Sequence, residues 1–236
     1  MRYVDEAGGR LVPDATRGLA HLARAAGALP TALATARTLD WPGWQNRVLG
    51  DIHFAHGDMD QAAPCYTAAR AEAEQHGNLG EQAIAQAHIA PTCAFTAPDR
   101  TDDEITLAQQ LLAGLDQRAT ALTAQVAVLA RDAWTLSDLE GARVLRAEID
   151  AADITAVQAV LELALVIHHP VTASEDQLTR CIALNSGDDY GYYNDIAHFM
   201  AGLPLPQASS AGWIDGEVAP RQRWRHLVTV RQGRRG

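Results

Sequence analysis

The chain has 236 residues and a formal net charge of −10, with 47% hydrophobic residues, long enough for a sizeable core in one or two domains. Ala, Leu and Arg are abundant while Phe and Tyr are sparse, which favours helix over sheet. All 19 basic residues are arginine, which excludes a Schiff-base lysine and the phosphate-gripping lysine of a P-loop.

In chain order, residues 1–13 read as a poorly ordered lead-in. Asp14 to Ala26 carries Leu19, Leu22, Ala23 and Ala26 at helical spacing, and Gly27-Ala28-Leu29-Pro30 makes a turn with proline at an early helical position. Thr31 to Leu39 supplies a second helix with Ala32, Ala36 and Leu39 on one side. Trp41-Pro42-Gly43 then breaks the chain.

The next stretch, Trp44 to Gly77, reads as helix, tight turn and antiparallel helix. Leu49-Gly50 lies in the first helix, Gly57-Asp58 forms the turn, and Ala62, Tyr66 and Ala69 follow in the second. Gly50 and Ala62 lack bulk, so the two backbones can approach, and Tyr66 fills the space that remains. These residues at these offsets resemble a tetratricopeptide repeat. One such hairpin cannot bury its apolar face alone and needs stacked neighbours.

Leu79 to Phe95 is the following helix, with Ala83, Ala87, Ala90 and Ala94 as a small-residue stripe. Pro91 predicts a kink or an early end near Ile89. Thr101 with Glu104 predicts a capping box, and Ser137 with Glu140 and Ser174 with Gln177 repeat that pattern. Second helices are therefore expected to begin near residues 29, 58, 101, 137 and 174, roughly one every 36 residues, a period of helical-pair repeats. First helices are expected at about Gln117 to Trp134 and Thr155 to His169. Near the end, Tyr190, Tyr192, Tyr193, Phe199 and Met200 crowd a short helix. A Pro/Ser loop, Pro204 to Gly212, leads to an amphipathic helix over Arg221 to Arg231 that would cap the last hairpin.

The expected architecture is all-α: a TPR-like right-handed α-solenoid of antiparallel helical hairpins over 14–203, with a loop, a basic C-terminal capping helix and a frayed tail in 204–236. The segments WPGWQNRVLGDIHFAHGD, HGNLGEQAIAQ, PDRTDDEITLAQQLLAGLDQRAT, YGYYNDIAHFMAGLPLP and RQRWRHLVT resemble the C-terminal tetratricopeptide-like region of large actinobacterial ATP-binding TPR proteins. The resemblance covers nearly the whole chain after about Gly27. In that family a P-loop ATPase precedes the repeats, so the resemblance implies a regulatory role and a separate ATPase as a partner. ATP binding itself does not carry over, because the ATPase part is absent here.

Cys65, Cys93 and Cys181 lie far apart without a CxxC pair, which indicates neither a zinc knuckle nor a disulfide framework. The start MRYVDEAGG has no apolar signal core, and the apolar run near Ala159 to Ile167 is interrupted by Glu162, so a soluble cytoplasmic protein without a membrane partner is expected. From Glu217 onward six arginines face one acid, leaving 13 arginines against 28 acids in residues 1–216. An acidic body repels nucleic acid at long range, and a nucleic-acid partner is not expected.

No catalytic residues and no cofactor are expected, since no Ser/His/Asp order, Gly-rich phosphate loop or paired acidic motif stands out. His53 and His56, one turn apart, are the candidate metal ligands. His53 falls on the repeat's buried aromatic position and the neighbouring Asp58 on a cap, so no metal is expected. The groove of such a repeat is lined by first helices, which places Trp44, Arg47, Asp51 and Phe54 on that face, with Glu81 and His88 on the next first helix. Arg47 is suited to hold a carboxylate and Phe54 to offer apolar area. The function read from these residues is a non-enzymatic scaffold for a protein or peptide segment. The alternatives are a small-molecule or signal-peptide sensor that in relatives is coupled to an ATPase, and an enzyme using the His/Asp cluster.

Overall fold

The computed structural model describes residues 13–25, 28–55, 58–132, 139–153, 158, 161–162 and 175–184. Among them the regular elements are helices: α1 (Pro13–Ala25), α2 (Leu29–Ala36), α3 (Pro42–Ala55), α4 (Met59–Gln75), α5 (Leu79–Thr96), a 3₁₀ turn (Pro98–Arg100), α6 (Thr101–Leu112), α7 (Arg118–Asp132), α8 (Leu139–Ala152) and α9 (Glu175–Leu184). The described second helices α2, α4, α6 and α8, with α9, begin at residues 29, 59, 101, 139 and 175, close to the expected starts. No described helix is long and apolar enough to cross a membrane. The tyrosine-rich segment, the Pro204 to Gly212 stretch, the expected helix over Arg221 to Arg231, Ser137, Ser174 and His56 lie outside the described residues.

Each helix from α1 to α7 packs on the next in sequence, and α1, α3, α5 and α7 also touch in succession. Such close approach follows from small side chains. Ala87, Ala108 and Ala124 bring α5, α6 and α7 together in one buried cluster, and Ala90, Ile105 and Ala127 repeat the arrangement nearby. Between α3 and α4 the limiting contact is Gly50 against Tyr66: a Cβ on Gly50 would stand 2.6 Å from the ring's Cε1. Glycine is therefore required there for the ring to lie between the two backbones.

Three of the interhelical turns, α1–α2, α3–α4 and α4–α5, share one closure. The amides of Ala28, Asp58 and Asn78 donate to the carbonyls of Ala23, His53 and Ala73, five residues back in each case. Each donor follows a glycine in the sequence, at 27, 57 and 77. At the last of these, Gly77 has φ +65°, the left-handed conformation that ends α4 in a Schellman-type turn. Asn78 immediately starts α5, its side chain accepting from the Glu81 amide at 3.2 Å.

Two local expectations are corrected. Pro91 does not end α5 near Ile89; the helix continues to Thr96. Proline removes a single amide, the Thr92 hydroxyl donates to the His88 carbonyl at 2.9 Å, and buried Ala87, Ala90 and Ala94 hold the helix against its neighbours. The capping box at Thr101 does not form. Thr101 is already inside α6, the N-cap is Arg100 without a side-chain bond, and the Thr101 hydroxyl is buried without a hydrogen-bond partner. Glu104 is drawn away instead by Gln86 and Arg100.

Candidate binding face on the first helices

Five of the six sequence-selected groove residues meet on the face shared by α1, α3 and α5. Helical spacing puts Trp44, Arg47 and Asp51 along α3, and the α3–α5 contact brings Glu81 and His88 opposite them. Glu81 accepts from the Trp44 indole N–H at 3.1 Å and from Arg47 Nε at 2.9 Å. The Arg17 guanidinium lies 4.8 Å from the centre of the Trp44 ring, with Nη1 3.9 Å from Glu81 Oε1. Trp41 meets Trp44 edge-on, with ring centres 5.4 Å apart.

Asp51 is the buried centre of this face. Its Oδ1 accepts from the Tyr66 hydroxyl at 2.9 Å, so the residue that fills the Gly50 gap also satisfies a buried carboxylate. His88 Nε2 stands 3.8 Å from Oδ1, while His21 Nδ1 and Arg47 Nη1 stand 4.0 and 3.9 Å from Oδ2. The Ile84 carbonyl, 2.8 Å from His88 Nδ1, can only accept, so that nitrogen carries a proton. The His88 ring also packs on Tyr66, with centres 5.3 Å apart. Burial alone raises the Asp51 pKa, but His88, Arg24, Arg47 and His21 together outweigh it and hold the carboxyl below its ordinary value. For His21 burial acts in the opposite sense and lowers the pKa to about 4, against the pull of Asp51 and with the push of Arg24, Arg47 and Arg17.

Phe54 stands apart from this polar network. It is half-buried against Ala62, Tyr66, Ile89 and Cys93, so part of its apolar area is already used in the core. His53 is half-buried, and Asp58 occupies the N-cap of α4 without a side-chain capping bond. Among the described residues no group of three or more His, Cys, Asp or Glu side chains is arranged to hold a metal ion. Burial pushes the Cys65 and Cys93 thiols up, helped by Asp58 and Glu104 respectively, which disfavours the reactive thiolate.

Sequence reasoning missed the contribution of α1. Arg17, His21 and Arg24 recur at i, i+4 and i+7, a polar stripe on one side of a helix otherwise read for its apolar residues. The role of the Tyr66 hydroxyl was also missed, because the ring alone explains its place between α3 and α4.

Two further polar clusters lie elsewhere. Gln86, fully buried, accepts from Arg70 at 2.5 Å and donates to the backbone and side chain of Glu104 at 3.0 and 2.7 Å, joining α4, α5 and α6. Glu162 is equally buried and receives two hydrogen bonds from Arg146, at 2.9 and 2.8 Å, with Arg180 Nε 3.0 Å away.

A scan against protein-family models and searches of curated proteins and of solved structures found no match to this chain.

Proposed function

We propose that the chain is a TPR-like, right-handed stack of antiparallel hairpins serving as a non-enzymatic scaffold, which binds a protein or peptide segment along the face of its first helices. The observation that carries this reading is the convergence of polar and aromatic side chains from α1, α3 and α5, three helices that are not consecutive in the chain, onto one surface. The common turn closure at Ala28, Asp58 and Asn78 supports the repeat part of the reading. The carboxylates on this face serve as internal acceptors, Asp51 for Tyr66 and Glu81 for Trp44 and Arg47, which suits a rigid recognition surface. In the proteins that the sequence resembles, repeats of this kind follow an ATPase, and the proposal extends to a regulatory role for the bound segment.

The test is site-specific photo-crosslinking. A photoreactive residue at Ile84, between Glu81 and His88 on α5, should capture a partner from a host lysate in discrete bands, and one at the exposed Gln109 on α6 should not. Equal capture from both positions, or capture from Gln109 alone, contradicts the proposed face.

A further inference from the structure

The charge on the first-helix face runs against that of the molecule. Three guanidinium groups, Arg17, Arg24 and Arg47, surround two carboxylates, Asp51 and Glu81, in a chain whose formal charge is −10. His21 and His88 flank Asp51 from α1 and α5, and either adds positive charge when protonated. Arg47 commits Nε to Glu81 and leaves its terminal nitrogens beyond hydrogen-bond reach of Asp51, at 3.9 Å for Nη1. Arg17 rests on the Trp44 ring with its guanidinium partly exposed. This is a partly buried cationic cluster, with the Arg47 side chain 12% and the Arg17 side chain 26% exposed, beside aromatic area, a combination that can receive a carboxylate with an apolar neighbour.

We propose that the face shared by α1, α3 and α5 binds an acidic peptide segment through its side-chain carboxylates, with Arg17 and Arg47 as the receiving cations and His21 taking up a proton as the segment binds. This rests on the scaffold reading above and names the partner's chemistry. A nucleic-acid strand is disfavoured, because a continuous phosphate backbone must pass both Asp51 and Glu81 and the surrounding acidic body. A peptide can instead place isolated carboxylates at the two arginines and an apolar side chain on Trp44.

Proton uptake follows from the surroundings of His21. Among the described side chains, those acting on it are Arg17 and Arg24 on its own helix and Arg47 and Asp51 on α3; Glu81 and His88 on α5 lie further across the face, and α2 brings no ionisable residue. Burial holds His21 at about 4, and the three arginines contribute in the same direction. A carboxylate seated among those arginines offsets their field and makes the protonated ring less costly. By linkage the segment then binds more tightly as the pH falls, until its own carboxylates protonate.

Fluorescence anisotropy with labelled, C-terminally amidated peptides tests this directly. One probe alternates Glu with Leu; its counterparts carry Gln or Lys in place of Glu, and an oligothymidylate serves as the nucleic-acid probe. The Glu peptide should bind, the Gln peptide should bind at least about tenfold more weakly, and the Glu peptide should tighten as the pH falls from about 6 to about 5. Arg17→Gln should weaken the Glu peptide about tenfold while the melting temperature is retained, and Arg47→Gln, which also breaks the bond to Glu81, should weaken it and lower the melting temperature. Should Arg47→Gln unfold the protein through loss of its Glu81 bond, Arg17→Gln and the pH series still decide. Equal binding of the Glu and Gln peptides, preference for oligothymidylate, or binding only by a peptide with a free C-terminus overturns the proposal. If the Gln or Lys peptide is instead the tight binder and footprints on Ile84, the scaffold reading stands and the acidic partner falls. If no peptide binds and Ile84 captures nothing, both fall.

Discussion

At the residue scale, the contact between Gly50 and Tyr66 decides how close α3 and α4 can lie, and it was legible in the sequence because glycine opposite an aromatic at repeat spacing has a direct steric meaning. The fate of the tyrosine hydroxyl was not legible, since it depends on Asp51 being buried beside it. Gly50→Leu should lower stability in chemical denaturation by at least the ~1–3 kcal/mol typical of overpacking, because the new side chain begins 2.6 Å from the Tyr66 ring. An unchanged denaturation midpoint would show that the helices can part without cost. His21 gives a second prediction with a defined sign. Its folded pKa of about 4 lies below the ordinary 6.5, so the unfolded chain takes the proton first and stability falls as the pH drops through that interval. The depressed pKa of Asp51 adds a further loss below its ordinary 3.8, as the carboxylate that its cationic neighbours favour is protonated. The melting temperature of the native protein should therefore decline on acidification, with a shallower decline between about pH 6.5 and about pH 4 in His21→Gln. Parallel curves for the two proteins contradict the burial argument.

At the element scale, helix starts were easier to read than the means by which they are capped. The expected positions 29, 58, 101, 137 and 174 fell close to the observed ones, yet Thr101 does not cap α6, while Asn78, which does cap α5, passed unnoticed beside the more conspicuous Gly77. The difference at Thr101 has a tertiary origin: Glu104 is recruited by Gln86 across α5 and α6, and a local pattern cannot anticipate that competition. Pro91 teaches the same lesson, because an alanine stripe packed on two neighbours outweighs one missing hydrogen bond. The corresponding device towards the C-terminus is Glu162, which holds Arg146 of α8 and Arg180 of α9; Arg180 also pairs with Asp150. Glu162→Ala removes the shared anion and leaves Arg146 without its two hydrogen bonds; because both arginines are partly exposed and can be rehydrated, the cost should be ~1–3 kcal/mol. In a stacked array that loss should remain near α8 and α9. Native-state hydrogen exchange should then show faster exchange in 139–153 and 175–184 with α3 and α4 unaffected; uniform acceleration along the chain contradicts a stack of neighbour-coupled hairpins.

At the scale of the whole molecule, the described helices α1, α3 and α5 bring Arg17, His21, Trp44, Arg47, Asp51, Glu81 and His88 to one face, while α2, α4 and α6 contribute mostly small core residues. The α3 part of that face could be read from the sequence because Trp44 to Gly77 carries the clearest resemblance to the repeat pattern, whereas the α1 part is encoded by a polar stripe whose significance appears only once α1 lies against α3. The charge of the chain likewise hides a local cationic cluster, since composition averages over positions that folding separates. The most direct measurement is hydrogen exchange followed by mass spectrometry, with and without the amidated Glu/Leu peptide. Protection should appear in 13–25, 42–55 and 79–96 and spare 29–36, 59–75 and 101–112. Protection confined to the second helices, or spread evenly over both sets, would contradict the assignment of the first-helix face as the binding surface.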